Sequence, residues 1–298
     1  MSAEHSRFEL SPGRLVQRLG YGAMQLTGPG VWGPPEDPDE ARRVLRRAVE
    51  LGVNLIDTAD SYGPAVSEEL IAEALHPYPD DLVLATKAGF ARTGPGRWQV
   101  LGFPEYLKQQ CELSLRRLKV DRIELFQLHR IDSRLPLADQ LGALVELRSE
   151  GKIGQIGLSE VTVSQLEEAL EITPVATVQN LYNLANRASE PLLQVCEQRG
   201  IGFLPWFPIH TGGLTAPGDG PAPLEDLADR TGHSPTQLAL AWLLQRSEVM
   251  LPIPGTSSVA HLEENIAARD IALDEAAVSV LDALSQPGTD PERTGTSG

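Results

Sequence analysis

The sequence predicts an α/β protein built as a closed (β/α)8 TIM barrel, a single domain over residues 1–284 with a flexible tail at 285–298. Two observations carry that prediction. Eight short runs rich in β-branched or apolar residues alternate with amphipathic helical stretches along nearly the whole chain, the pattern of repeated strand–helix units around a parallel sheet. The connections are also lopsided. Links from helix to strand are short (52–53, 77–81, 119–121, 151–152, 200–201), whereas several links from strand to helix are long and rich in Gly, Pro and Trp (27–36, 90–103, 209–222). All the long loops therefore leave the C-terminal face of the strands, where such barrels build their sites.

Taken in order, the first strand is LGYGAMQL (19–26), followed by the helix of DPDEARRVLRRAVELG. Asp37 caps its first amides, Pro38 suits the first helical position and Glu40 completes a capping box. Ala41, Val44, Leu45 and Ala48 form its buried stripe, and Gly52 ends it. Arg42, Arg43, Arg46 and Arg47 fall on the other faces, as a solvated surface rather than a phosphate patch. Strands two to four are NLIDTA (54–59), LVLATKAG (82–89) and RIELFQLH (122–129). Strands five to eight are IGQIGLS (153–159), ATVQNLY (176–182), GFLPWFP (202–208) and VMLPIPG (249–255), and SQPGTDPERTGTSG closes the chain as a frayed tail. No repeat exists beyond this alternation.

Composition narrows the function. Hydrophobic content of 41% with 22% charged residues is that of a soluble globular protein. With 41 acidic and 25 basic side chains, a net charge of −16 counts against a general nucleic-acid binder but leaves room for a local positive pocket. No apolar run approaches the roughly 18 residues of a membrane span, and MSAEHSRFEL has no apolar signal core, so a cytoplasmic location is expected. Cys111 and Cys196 are too few for a disulfide framework and lack zinc-ligand spacing, so they read as buried thiols in a reducing compartment. Nothing in the sequence bears on oligomeric state.

In a barrel the informative polar residues are those at strand C-termini: Asp57, Lys87, His129, Ser159, Gln179, the Trp206 region and Gly255. Asp57, Lys87 and His129 end three consecutive strands, which places a carboxylate, an ammonium and an imidazole around one mouth. Tyr62, in the DTADSYGP turn, leans over the same mouth. Such a set makes a phenol into a useful acid. Free tyrosine titrates near ~10, and a nearby ammonium stabilises the phenolate and pulls that value down. Asp57 is the carboxylate a buried lysine needs, and His129 can hydrogen-bond and orient the same substrate oxygen. Together they can polarise a carbonyl and protonate the alkoxide left by hydride attack. A metal-dependent hydrolase or lyase using Asp57, Asp60 and His129 is a competing use of the barrel. It is disfavoured because only one histidine sits on a strand end and Lys87 repels a cation.

These residues lie in motifs that resemble the aldo-keto reductase superfamily: GVNLIDTADSYG (52–63), LATK (84–87), QLHR (127–130), GKIGQIGLS (151–159), VQNLYN (178–183) and PIPGTSSVAHLEEN (252–265). The resemblance runs from about residue 14 to 283, in the family's order and spacing. It implies NADPH-dependent reduction of an aldehyde or ketone. Tyr62 is then the general acid, Lys87 and Asp57 tune it, and His129 orients the carbonyl. It implies that Ser159 and Gln179 hold the nicotinamide carboxamide, that Trp206 stacks on the ring, and that Gly212, Gly213 and Leu214 cross the pyrophosphate. Gly22, Met24, Pro208 and Gly255 complete that set. The resemblance also implies that Thr256 and Ser257, with Ser258, receive the 2′-phosphate at a helix N-terminus, while Glu264 and Asn265 hold the adenine.

The chain departs from the family at two points. Glu160 stands where the family often has Asn; it can accept from the carboxamide but cannot donate. His261 stands where the family commonly has Arg, which keeps its charge and forks onto phosphate. NADH is therefore admitted beside NADPH. Trp32, Phe90, Trp98 and Phe207, on the loops over the mouth, join Tyr62 and His129 as the wall of a pocket for a flat or apolar carbonyl compound. Arg92 and Arg97 are expected to meet water. Wording such as GYGAMQLTGPGVWGPP and GLSEV is similar to a bacterial, pyridoxal reductase-like subgroup. A cofactor-binding regulatory protein with little turnover is the alternative function.

Overall fold

The computed structural model describes residues 6–209 and 223–284. It opens on a feature that the strand–helix alternation does not predict, an antiparallel hairpin of β1 (Arg7–Ser11) and β2 (Arg14–Gln17) turning at Pro12 and Gly13. Phe8, Leu10 and Val16 of the hairpin pack on Leu55, Val83, Ala85, Leu125, Leu204, Leu251 and Ile253. Phe8 also fills the space beside Gly202. The hairpin thus stoppers the N-terminal end of the barrel.

The barrel follows as β3 (Tyr21–Gly22), α1 (Pro38–Glu50), β4 (Leu55–Asp57), α2 (Val66–Leu75) and β5 (Val83–Ala88). Next come a hairpin of β6 (Phe90–Gly94) and β7 (Arg97–Val100), α3 (Pro104–Leu118), β8 (Ile123–Leu128), α4 (Leu137–Ser149), β9 (Ile153–Ser159) and α5 (Val163–Ile172). The chain continues with β10 (Thr177–Leu181), α6 (Glu190–Arg199), β11 (Gly202–Trp206), α7 (Pro223–Thr231), α8 (Pro235–Arg246), α9 (Val259–Ala267) and α10 (Glu275–Ala283). Seven strands pair in parallel in the order β3, β4, β5, β8, β9, β10, β11.

Two expected strands shrink. The first keeps only Tyr21–Gly22, and Ala23–Leu26 forms a 3-10 turn instead. The eighth, 249–255, is an extended segment rather than a laddered strand, because Pro252 and Pro254 have no N–H to give. It still closes the barrel. Phe203 N–H donates to Val249 O at 2.8 Å and Leu251 N–H to Phe203 O at 2.7 Å on one side. Gly20 N–H donates to Pro252 O at 2.9 Å and Gly22 N–H to Pro254 O at 3.4 Å on the other. Gly22 is required there, since a Cβ would stand 2.6 Å from Ile253 O.

Helix α1 shows why these sequences form these elements. Asp37 accepts from Glu40 N–H at 2.8 Å, and Ala41, Val44, Leu45 and Ala48 are buried. Burying a Val or Leu side chain is worth roughly 1.5–3 kcal/mol. The expected capping box is not made. Glu40 instead accepts from Val259 N–H at 3.2 Å and from Arg43, tying α1 to the start of α9. The arginine face is neutralised by Asp39, Glu40, Glu50, Glu73 and Glu263. Cys111 and Cys196 are buried, and burial pushes both thiols up to about 12. No helix among the described residues is long and apolar enough to cross a membrane.

Candidate active site

Side chains alternate along each strand, so every second residue points into the barrel. Leu55, Val83, Ala85, Leu125 and Leu204 make an apolar interior layer. One step toward the strand C-termini, the same faces carry Asp57, Lys87, Gln127 and Gln179. Register fixes the neighbours: Asp57 pairs with Ala85, Lys87 with Gln127, Gln127 with Gly157 and Gln179 with Ser159. Gly157 leaves room for this polar layer, because a Cβ there would stand 2.5 Å from Thr177 Oγ1 and 2.8 Å from Gln127 Cγ.

The layer is one hydrogen-bonded unit. Lys87 Nζ donates to Asp57 Oδ2 at 2.5 Å, to Thr58 O at 2.8 Å and to Tyr62 OH at 3.3 Å. The other carboxylate oxygen of Asp57 accepts from Gln127 Nε2 and Gln179 Nε2, both at 2.9 Å. Lys87 is fully buried. Burial works against its ammonium, but Asp57 and Tyr62 hold it above its ordinary value. Tyr62 differs from the sequence expectation. Burial raises the phenol above its ordinary value, and the opposing pull of Lys87 does not overcome it. The phenol is therefore held protonated at neutral pH.

His129 directly follows β8 beside this unit, its ring 5.9 Å from that of Tyr62. Burial, then the charges of Lys87, Arg130 and Arg92, hold the imidazole well below its ordinary range, so it is neutral at pH 7. Ser61 Oγ lies 3.4 Å from Nδ1. A Ser61 hydroxyl donating there leaves the ring proton on Nε2.

Asp60 lies behind the Tyr62 turn with Oδ1 buried and unpartnered. Asp57 is engaged by Lys87 and two glutamines, and among the described residues no three His, Cys, Asp or Glu gather as metal ligands.

The loop expected at 90–103 is the β6–β7 hairpin, and it roofs the mouth. Phe90 and Trp98 pack edge-on against His129 at 4.7 and 6.4 Å. The sequence leaves Arg92 to water, but the structure engages it. It donates to Gly30 O, Val31 O, Ser61 O and Arg97 O at 2.7–3.0 Å, and its guanidinium lies 3.6 Å from the Trp98 ring centre. It rivets the 28–33 loop, the Tyr62 turn and the hairpin together. Trp32 faces Arg92 at 5.7 Å and is not in the cavity wall; Val31 is.

The cavity beneath the roof holds about 530 Å³. Its wall includes Gly22, Met24, Asp57, Tyr62, Phe90, Trp98, His129, Ser159, Gln179, Trp206, Phe207, Pro208 and Gly255, all singled out from sequence. Gln25, Val31, Arg130, Ile209 and Ile253 line it too and were not. A signal for Arg130 was present, since it directly follows His129 in QLHR.

Residues 18–286 match the aldo/keto reductase family. The chain belongs to that family. It is 49% identical over 268 residues to an uncharacterized oxidoreductase of Schizosaccharomyces pombe, covering 90% of this chain and 86% of that one. It is 45% identical over 277 residues to pyridoxine 4-dehydrogenase of Escherichia coli K12, covering 91% and 96%. In three dimensions it is similar to an aldo-keto reductase of Klebsiella pneumoniae solved in complex with NADPH, with a TM-score of 0.79, 26% identity and 94% of each chain covered. The similarities thus reach bacterial and fungal relatives alike.

Within this aldo/keto reductase, the remaining positions fall as follows. Ser159 Oγ accepts from Arg130 Nη1 at 3.0 Å. Glu160 is turned out of the cavity wall and accepts from Leu181 N–H at 2.8 Å and Trp206 Nε1–H at 2.5 Å. Thr256 Oγ1 accepts from Ser258 N–H at 3.1 Å, Ser257 is exposed, and Ser258 caps α9 by accepting from His261 N–H at 3.5 Å. The His261 side chain is exposed, Asn265 is buried, and Glu264 accepts from the Ser234 hydroxyl. Gly212, Gly213 and Leu214 lie outside the described residues.

Proposed function

We propose that this chain is an NADPH-dependent carbonyl reductase in which Tyr62 is the general acid, acting on a flat aldehyde or ketone of pyridoxal type. The observation that carries the reading is the Tyr62 hydroxyl, 3.3 Å from an ammonium whose counter-ion is Asp57, beside a neutral His129 at the wall of one aromatic cavity. The donor set fits a nicotinamide nucleotide. Trp206 offers a ring face held by Glu160, Ser159 and Gln179 offer a hydroxyl and an amide, and Gly255 leads from the cavity to the N-terminus of α9. NADH fits the same groups, and His261 gives a 2′-phosphate no permanent charge. The similarity to pyridoxine 4-dehydrogenase supports the pyridoxal-type substrate, and that to the NADPH-bound Klebsiella reductase supports the cofactor.

When bound, the cofactor supplies hydride to the carbonyl carbon. The protein's part is to hold and protonate the oxygen. His129 and Tyr62 hydrogen-bond it, and Tyr62 gives its proton as the oxygen becomes an alkoxide. The phenolate left behind is met by Lys87, whose own charge Asp57 balances, and is reprotonated from water. Phe90, Trp98 and Val31 shield the carbonyl from bulk solvent while hydride and proton are transferred.

The test is consumption of NADPH with pyridoxal and a panel of aromatic aldehydes, repeated with Tyr62→Phe. The variant keeps the ring and loses only the proton, so turnover should fall by at least ~10²-fold with cofactor affinity nearly unchanged. Binding of NADPH without turnover of any carbonyl would favour a regulatory protein instead.

A further inference from the structure

Two arginines approach the cavity, and they differ in what they have left to give. Arg92 is spent on four backbone carbonyls. Arg130 is not. Its Nη1 donates to His129 O at 2.7 Å and to Ser159 Oγ at 3.0 Å, which pins one arm of the guanidinium across the ends of β8 and β9. Its centre lies 5.3 Å from the Phe90 ring centroid. The other arm and Nε have no protein acceptor among the described residues, and no carboxylate there comes within ion-pair distance. Glu160 acts on it only through space, its Oε1 being taken by Leu181 and Trp206.

A guanidinium stays charged, and holding it half-buried without a counter-ion is unfavourable. The fold does not need the charge, since a neutral donor could make both of its hydrogen bonds. In a chain of net charge −16 the far field repels anions, so an anionic substrate needs a cation inside the cavity.

We propose that Arg130 selects the substrate: the carbonyl compound carries an anionic oxygen, a carboxylate or ionised ring hydroxyl, that takes the free edge of this guanidinium while its flat body lies against Phe90 and Trp98. The proposal rests on the reading of the cavity as a carbonyl site. It adds a second recognition point one residue from His129, so a substrate is held by its reacting oxygen and by its charge at once. The free donors form a planar fork of the kind that receives a carboxylate.

The experiment compares kcat/KM for the three carboxybenzaldehydes with that for the corresponding tolualdehydes, in wild type, Arg130→Gln and Arg130→Lys. The expected result is that at least one isomer is preferred over its uncharged counterpart. That preference should fall about tenfold or more in Arg130→Gln and be largely kept in Arg130→Lys. An unchanged ratio in Arg130→Gln overturns the proposal, as does equal loss on charged and uncharged aldehydes in both variants, which would leave Arg130 as a tether between strands. Titration of tryptophan fluorescence with benzoate and benzamide needs no turnover. If no aldehyde is reduced, the carbonyl-reductase reading fails, and this titration alone decides Arg130. Tighter binding of benzoate, lost in Arg130→Gln, upholds it; equal affinities, or a preference that survives in Arg130→Gln, overturn it.

Discussion

Trp206 donates its indole N–H to the Glu160 carboxylate at 2.5 Å. The same oxygen accepts from Leu181 N–H, so one side chain joins the C-terminal ends of three neighbouring strands. Glu160 can do this because its backbone leaves β9 in the left-handed region, at φ 55°. A carboxylate suits that post, since both groups that meet it are donors. Its work is to fix the plane of Trp206. Glu160→Leu strands both donors, and a hydrogen bond to a charged group is worth roughly 1.5–3 kcal/mol. Affinity for the nicotinamide cofactor should therefore fall about tenfold, with kcat less affected, as measured by fluorescence titration and steady-state kinetics. Unchanged affinity would show that the Trp206 plane does not matter to binding.

Lys87→Met should slow reduction at neutral pH by about a hundredfold or more. Burial already raises the Tyr62 phenol, and Lys87 supplies the largest opposing pull. Without it the phenol rises further, and Asp57 is left with Gln127 and Gln179 but no counter-charge. With Tyr62 as the proposed acid, reduction needs the protonated phenol, so the alkaline limb of kcat/KM should move to higher pH. A limb that stays in place in the variant would separate Lys87 from the acid.

The proposed catalytic set is legible in sequence because Asp57, Lys87 and His129 end runs that read as strands, and consecutive strand ends share one mouth. Gln127 is not legible. A glutamine has no distinctive chemistry until the Lys87–Gln127 register brings its amide to Asp57. Arg92 hides for another reason: beyond Arg97 O in its own hairpin, its acceptors lie at residues 30, 31 and 61, on two separate loops far away in sequence. The first and last strands read longer than they are, because apolar content does not register that Pro252 and Pro254 give no N–H. Both hairpins escape a search for strand–helix alternation, since each pairs with itself and adds nothing to the parallel sheet.

At the start of α9 the structure adds a carboxylate to the weakness that the sequence shows. Val259 N–H is taken by Glu40, so a negative charge already sits where a 2′-phosphate would draw on the helix N-terminus. His261→Arg adds a permanent cation in that first turn, and Glu40→Gln removes the competing anion. Each should tighten NADPH binding severalfold while leaving NADH affinity nearly unchanged, and the double variant should show the larger effect. Parallel NADPH and NADH titrations measure this. Equal changes for the two cofactors would place the 2′-phosphate away from α9.

Asp60 should make the wild type less stable as pH rises. Burial first, and the Glu68 carboxylate second, hold its pKa well above the ordinary value, and its Oδ1 has no partner. In the unfolded chain it titrates near ~3.9. Between that value and the raised folded one, the native state binds more protons than the unfolded state, so stability falls with increasing pH across the window and levels off above it. Asn has nearly the same shape and no proton to lose. Asp60→Asn should therefore gain in Tm over wild type, by an amount that grows from acid toward neutral pH and reaches about 3 °C or more, the shift that ~1 kcal/mol gives in a domain of this size. Thermal unfolding of both proteins across a pH series measures the difference. If the gap stays flat or narrows with rising pH, Asp60 is ionised in the native state, with the nearby Arg117 guanidinium outweighing burial.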